Sequence, residues 1–282
     1  MKSKLLIDAG STKVEWQLIP IDNSEISSFF TEGVNALLAD TNHIRNILIQ
    51  GASQIPSEYE IESIHYYGAG CATPSICSKI NEVIHSVWDN TYCEVNSDLL
   101  AAARSLFGER KGIACILGTG SNSCLYDGKQ ITMQIPSLGF ILGDEGSGAA
   151  LGKRLISDVF KEQLPPSVKD LFLEKYKLTL SDILEKVYTQ PAPNKFLASL
   201  VPFLKDNLWN PYIYSLVLKE LHRFVKRNVA MYPGAHALEV RFTGSIAYHF
   251  QKLLKEAASS LGYSVTSVTM TPMQGLKEYH KY

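Results

Sequence analysis

One segment near the N-terminus has a counterpart in the middle of the chain, and this pairing limits what the chain can fold into. Leu5-Leu6-Ile7-Asp8-Ala9-Gly10-Ser11-Thr12-Lys13-Val14-Glu15-Trp16 is an apolar run, a turn of small residues, and a run with apolar side chains at alternate positions. Cys115-Ile116-Leu117-Gly118-Thr119-Gly120-Ser121-Asn122-Ser123-Cys124-Leu125-Tyr126 has the same form. Period-two alternation around a Gly-, Ser- and Thr-rich turn reads as strand, tight turn, strand. A duplicated α/β architecture follows, with two related domains that each open on a glycine-turned hairpin. We place the first domain at residues 1–108, completed by a C-terminal helix over 271–282, and the second at 109–270. A length of 282 residues suits two medium domains, each with its own core.

The remaining pattern fills both halves. Ser63 to Tyr67 and Cys93 to Val95 predict short strands. Thr73-Pro74 predicts a helix start, with Thr as N-cap and Pro at the first position. A second helix is expected from Ser97-Asp98 through Ala103. Gly146 to Phe160 reads as helical, and Pro165-Pro166 and Pro191-Ala192-Pro193 as breaks. Val217, Leu221, Phe224, Val225 and Asn228 mark a long amphipathic helix. Val240 to Thr243 predicts a strand, Ser245 to Ala258 a helix, and Tyr263 to Met270 a strand.

Composition removes several function classes. With 27 basic and 28 acidic residues the formal net charge is −1, so no basic surplus points to nucleic acid or an anionic membrane. A phosphate ligand would have to be held by local geometry. The five cysteines form no C-x-x-C pair, which leaves buried thiols in a reducing compartment as the expectation. Three apolar residues, Leu5 to Ile7, are too few for a signal sequence, and no later run is long enough to span a bilayer. A cytoplasmic protein is expected.

Several clusters could carry chemistry, and each also has a plain structural explanation. At Asp8-Ala9-Gly10-Ser11-Thr12-Lys13 a carboxylate ends a buried strand. Gly10 and Ser11 would let backbone N–H groups approach a polyanion, Asp8 could hold Mg²⁺ through water, and Thr12 and Lys13 could donate to phosphate oxygens. An ordinary hairpin would use the same residue types. The second turn, Gly118-Thr119-Gly120-Ser121-Asn122, strengthens the functional alternative, because two such turns at matching places could clamp a triphosphate. Asp144 and Glu145 stand ahead of a helix, where acids suit the N-terminus, but they could equally accept hydrogen bonds from vicinal sugar hydroxyls. Asp98 is either a helix cap or a general base for an attacking hydroxyl, with helix-end N–H groups keeping it ionised. Gly244 lets a flat adenosine approach the backbone, with Ser245 as N-cap, and Asn35 could offer its amide to a sugar. No P-loop, histidine ligand spacing or nucleophile elbow occurs.

Together these motifs resemble the N-acetylglucosamine kinases, grouped with the BadF/BadG/BcrA/BcrD-type ATPases in the sugar kinase, heat-shock protein 70 and actin superfamily. The resemblance implies a ribonuclease H-like, actin-like ATPase fold whose two α/β domains face each other across a cleft. It implies transfer of phosphate from ATP, with Mg²⁺, to the 6-hydroxyl of an amino sugar, N-acetylglucosamine first. Thr12 and Thr119 would contact phosphates, and Asp8 would organise the metal. Asn35, Ser121, Asn122, Gly139, Asp144 and Glu145 would line the sugar site. Asp98 would be the base, and Gly244 would lie against adenosine. A homodimer is common among similar enzymes. Two departures stand out: Ser137-Leu138-Gly139 replaces the Gly-Trp-Gly of animal members, and Ala9 replaces a common glycine.

Other readings stay open. An ATPase that activates a partner enzyme would need a cysteine pair for an iron–sulfur cluster, and the scattered cysteines lack that spacing. A sugar-sensing repressor would need a DNA-binding segment ahead of Asp8. A binding module without catalysis would not need Asp8, Asp98 and Asp144 together. Within the kinases, N-acetylmuramic acid and glucosamine compete with N-acetylglucosamine.

Overall fold

A computed structural model describes residues 1–21 and 27–281 of the chain. Two compact units emerge, one of Met1–Arg110, Gly128–Gln130 and Pro272–Tyr282, the other of Lys111–Asp127 and Ile131–Thr271.

The first unit is built on β1 (Lys2–Ala9), β2 (Lys13–Pro20), β3 (Ser27–Glu32), β4 (Glu60–Gly68) and β5 (Tyr92–Ser97), in the order β3-β2-β1-β4-β5. β2 runs antiparallel to β1 and β3, while β4 and β5 run parallel to β1. Residues alternate between the faces of a strand, which divides β1 cleanly. Leu5, Ile7 and Ala9 join Trp16 and the apolar sides of α1 (Thr41–Ala52) and α2 (Pro74–His85) in one core. Leu6 faces the other way, with Tyr67 and with Ala101 of α3 (Asp98–Phe107). α2 starts as the sequence predicts, with the Thr73 hydroxyl accepting from the Ile76 N–H and Pro74 in first position.

The second unit repeats this topology. β6 (Gly112–Leu117), β7 (Ser121–Tyr126), β8 (Ile131–Ile135), β9 (Val240–Thr243) and β10 (Val265–Thr269) lie in the order β10-β9-β6-β7-β8. β7 is antiparallel to β6 and β8, β9 is parallel to β6, and β10 is parallel to β9. The duplication read from two glycine turns is therefore carried by whole sheets, and the fold is ribonuclease H-like. The turns themselves differ. Ala9 pairs with Val14 but Leu117 with Ser121, so the second turn is one residue tighter.

Helices α4 (Gly139–Leu142), α5 (Gly148–Phe160), α6 (Pro166–Tyr176), α7 (Leu180–Tyr188), α8 (Pro193–Ser199), α9 (Val201–Asp206) and α10 (Pro211–Arg227) fill the connection between β8 and β9. The two proline clusters break the helical run as expected, between α5 and α6 and between α7 and α8, and each also begins the helix that follows. Pro166 and Pro193 sit in first turns, where a missing N–H costs nothing. The helix expected over Ser245 to Ala258 is two helices, α11 (Ser245–His249) and α12 (Gln251–Ser259). They break at Phe250, whose ring is buried in the core of this unit. α13 (Met273–Tyr279) packs against α3 and β1 of the first unit, sending Met273 and Leu276 into the Leu6 side of that sheet. Tyr282, the end of the helix expected over 271–282, lies outside the described residues. No helix among the described residues is long and apolar enough to cross a membrane.

Candidate active site

In the first unit the chemistry collects where β1, β4 and β5 end. Asp8 is the penultimate residue of β1 and stands beside Glu15 of β2 and Tyr67 of β4 in the ladders. Neighbours in register share a face with side chains about 5 Å apart, so Asp8 and Glu15 form a carboxylate pair. The Gly10–Thr12 turn is supported from below. The Val34 N–H donates to the Gly10 carbonyl at 3.0 Å, and a Cβ on Gly33 would fall 2.1 Å from the Thr12 carbonyl carbon. Asn35 joins this turn, its Nδ2 donating to Ser11 Oγ at 3.4 Å and its Oδ1 accepting from the Leu37 N–H at 3.0 Å.

Asp98 opens α3, yet it is not the cap. The Ser97 hydroxyl does that work, accepting from the Leu100 N–H at 3.2 Å. The carboxylate of Asp98 is thus available for something else. Burial pushes its pKa up to about 6, outweighing the N–H groups of Leu99 and Asp98 that favour the charged form. Desolvation of a charge is the larger effect, but at about 6 the carboxylate is still ionised at neutral pH. Asp8 is pushed up to about 7, first by burial, then by the charges of Asp98 and Glu15, with Lys13 opposing. Glu15 Oε2 is buried without a hydrogen-bond partner, and the Lys13 ammonium is 3.9 Å away.

In the second unit the Gly118–Gly120 turn is tied to two other segments. Its Gly118 and Thr119 carbonyls accept from the Gly148 and Ala149 N–H groups at 2.8 and 3.0 Å, joining it to the start of α5. The Ser121 N–H donates to Asp144 Oδ1 at 3.1 Å, and a Cβ on Gly120 would lie 3.0 Å from Asp144 Oδ2. Ser121, Gly120 and Asp144 therefore meet. Asn122 does not join them, because alternation turns it away. Its Oδ1 accepts from the Ser123 N–H at 3.0 Å and Gln134 Nε2 at 3.1 Å. Gly139 begins α4 with φ 72°, and its carbonyl accepts from the Gly143 N–H at 2.8 Å.

Asp144 itself has φ 55°, a left-handed conformation that non-glycine residues adopt at a cost. Its N–H donates to the Ser137 carbonyl at 3.0 Å and its carbonyl accepts from the Ser147 N–H at 3.1 Å. Burial raises the Asp144 pKa, the Ser121 N–H opposes, and the Glu145 charge adds to the rise. Glu145 is buried and forms an ion pair with Arg227. The helix that follows is capped by Ser147, whose hydroxyl accepts from the Ala150 N–H, so neither acid is a simple cap.

Gly244, not Ser245, is the N-cap of α11, at φ 114° and ψ 157°. A Cβ there would fall 2.3 Å from the Leu117 carbonyl oxygen. The glycine thus has a packing role at the end of β6, whatever ligand approaches it. Gly244→Ala is expected to cost roughly 3 kcal/mol, from strained backbone plus the clash, and to lower Tm by roughly 10 °C. Calorimetry of that variant checks this, and an unchanged Tm would contradict it.

Three charged residues escaped sequence inspection. Glu15 was one polar residue in an alternating strand, and only the ladder puts it beside Asp8. Glu220 falls among the buried residues of α10, between Val217 and Leu221 on the stripe that packs inward. An acid at a core position of an amphipathic helix is a signal that could have found it. Arg227 gave none. Among the described residues, no group of three or more His, Cys, Asp or Glu gathers to hold a metal unaided.

Comparison with known proteins places this architecture. No protein-family model matches the chain. A structure from Porphyromonas gingivalis, of a protein assigned as an N-acetylglucosamine kinase, is 41% identical, with TM-score 0.92 over 98% of each chain. The N-acetylmuramic acid/N-acetylglucosamine kinase of Clostridium acetobutylicum is 24% identical over 241 residues, 80% of this chain and 79% of that protein. A glucokinase of the ROK family from Streptomyces griseus, solved with glucose and AMPPNP, shares the fold at TM-score 0.57 and 11% identity over 99% of this chain and 97% of that one. The chain belongs to the N-acetylglucosamine kinase family.

Proposed function

We propose that the protein is an ATP-dependent kinase that phosphorylates the 6-hydroxyl of N-acetylglucosamine. The 41% identity to the Porphyromonas protein carries this reading. The paired environment of Asp8 and Asp98 supports it chemically.

Phosphoryl transfer asks a protein mainly for positioning and charge neutralisation. Asp144 and Glu145 accept hydrogen bonds from sugar hydroxyls, Asn35 offers its amide, and Ser121 and Gly139 complete the sugar surround, without Asn122, which faces away from them. The turn from Gly10 to Lys13 and the turn at Gly118, Thr119 and Gly120 take the phosphates. Gly244 and Ser245 take adenosine. Asp98 accepts the proton of the 6-hydroxyl as that oxygen bonds to the γ-phosphorus and the bond to ADP breaks. The proton then leaves from Asp98 to solvent.

Mg²⁺ fits the residues present. Glu15 carries a buried carboxylate oxygen without a hydrogen-bond partner, and Asp8 is loaded with neighbouring negative charge. Mg²⁺ binds through one or two carboxylates and keeps several waters. Asp8, with Glu15 beside it, would hold the ion, which when bound neutralises phosphate charge.

A coupled ADP-release assay over N-acetylglucosamine, N-acetylmuramic acid, glucosamine and glucose tests the reading. We expect the highest kcat/KM with N-acetylglucosamine and a 6-phosphate product by ³¹P NMR. Tight MgATP binding without phosphorylation of any sugar would overturn it.

A further inference from the structure

We propose that Glu220 is a positioning residue that sets the Asp144–Glu145 turn for sugar binding; this rests on the sugar role proposed above for those two acids. Glu220 lies on a different element, α10. Its side chain is buried, and Glu220 Oε1 accepts a hydrogen bond from the Gly146 N–H at 3.2 Å. The other oxygen, Oε2, pairs with Arg223 at 3.3 Å. One oxygen is thus spent on the turn and the other on a partially exposed cation.

The turn needs such a hold. Asp144 sits in left-handed backbone space at φ 55°, and Gly146 follows at φ 73°. Such conformations persist only where the surroundings over-determine them. Gly146 is pressed against α10, since a Cβ there would come 2.8 Å from the Phe224 Cβ. That contact pushes, and Glu220 pulls from the same helix. Seven residues further along α10, Arg227 pairs with Glu145. Residues i and i+7 share one helix face about 10 Å apart, so α10 grips the turn at two points, through opposite charges.

The consequence reaches the ligand surface through the backbone. The Asp144 carbonyl accepts the Ser147 N–H, and the Asp144 carboxylate accepts the Ser121 N–H at 3.1 Å. Free the Gly146 N–H and the strain at Asp144 can relax. Its carboxylate then leaves Ser121 and the geometry a sugar hydroxyl would meet.

The test compares Glu220→Ala, Glu220→Gln and Glu220→Asp with Arg223→Ala. Glu220→Ala should raise the KM for N-acetylglucosamine tenfold or more, with the KM for ATP changed less than twofold. Glu220→Gln keeps an acceptor oxygen at the same reach and should return the sugar KM to within threefold of wild type. Glu220→Asp is one methylene short and should keep the defect. Arg223→Ala should change neither KM by more than twofold. Hydrogen exchange of residues 143–148, followed by mass spectrometry without any ligand, should quicken at least tenfold in Glu220→Ala and stay near wild type in Glu220→Gln. An unchanged sugar KM and exchange rate in Glu220→Ala would overturn the proposal, as would equal shifts of both KM values. If Glu220→Ala does not fold, the Gln and Asp variants decide alone, and equal impairment of both overturns it. A wild-type protein that phosphorylates no sugar defeats the proposed function instead, and the exchange measurement still reports whether Glu220 holds the turn.

Discussion

Asp98→Asn is expected to lower kcat for sugar phosphorylation about a thousandfold while MgATP affinity stays within twofold. The substitution keeps the size and hydrogen-bonding of the side chain but removes its ability to take a proton. Ser97 caps α3, so the helix should survive the change. The same group dictates the acid side of the pH profile. The base must be ionised, and burial sets its pKa at about 6. Below that pH, kcat/KM for the sugar should fall, approaching tenfold per unit, and the residual rate of Asp98→Asn should lack this limb. Steady-state kinetics from pH 5 to 8, with Mg²⁺ saturating so that Asp8 is held ionised, check both statements. Near-normal turnover in the variant would remove Asp98 from the role of base.

Asp8→Asn should divide activity from stability. Loss of the carboxylate is expected to reduce Mg²⁺-dependent turnover roughly a thousandfold. The ligand-free variant should nonetheless be the more stable protein at neutral pH. The sign follows from the raised pKa. An Asp that titrates at 3.8 in the unfolded chain and about 7 in the folded one contributes fully only below pH 4. Its contribution is lost as pH rises to about 7, because the folded state is then asked to carry a buried charge, and one beside Asp98 and Glu15. Asparagine has no such penalty. The Tm advantage of the variant should be near zero at pH 4, grow to roughly 5 °C by pH 7 and stay level above. Millimolar Mg²⁺ should raise the Tm of wild type and leave the variant unmoved. A variant less stable than wild type at pH 8 would show that neither burial nor its acidic neighbours penalise the Asp8 charge.

Local signals in the sequence were the dependable ones. Thr73-Pro74 announced α2, and the Gly-rich turns announced two related hairpins, because capping and turn chemistry act over a few residues. Where packing decides, the sequence was mute or misleading. The single helix read over Ser245 to Ala258 concealed the break at Phe250, which serves the core rather than the helix. The prolines near 165 and 192 were legible as breaks, but not as the starts of the next helices, which depends on their position within the first turn. The candidate site was half legible. Asp8, Asp98 and Asp144 were visible as acids at element ends. Glu15 and Glu220 were not, because one needs the ladder and the other a helix more than 70 residues away to acquire meaning. The pKa of Asp98 could not be read either, since it depends on how much protein closes around the carboxylate.

The placement of α13 in the first unit has a consequence for biosynthesis. The segment from Pro272 onward leaves the ribosome after every residue of the second unit. Until then the Leu6 face of the first sheet lacks Met273 and Leu276 and exposes apolar surface. Vectorial synthesis normally lets an N-terminal portion fold first, but here the sheet that is made first must wait for the last helix of the chain to cover its apolar face.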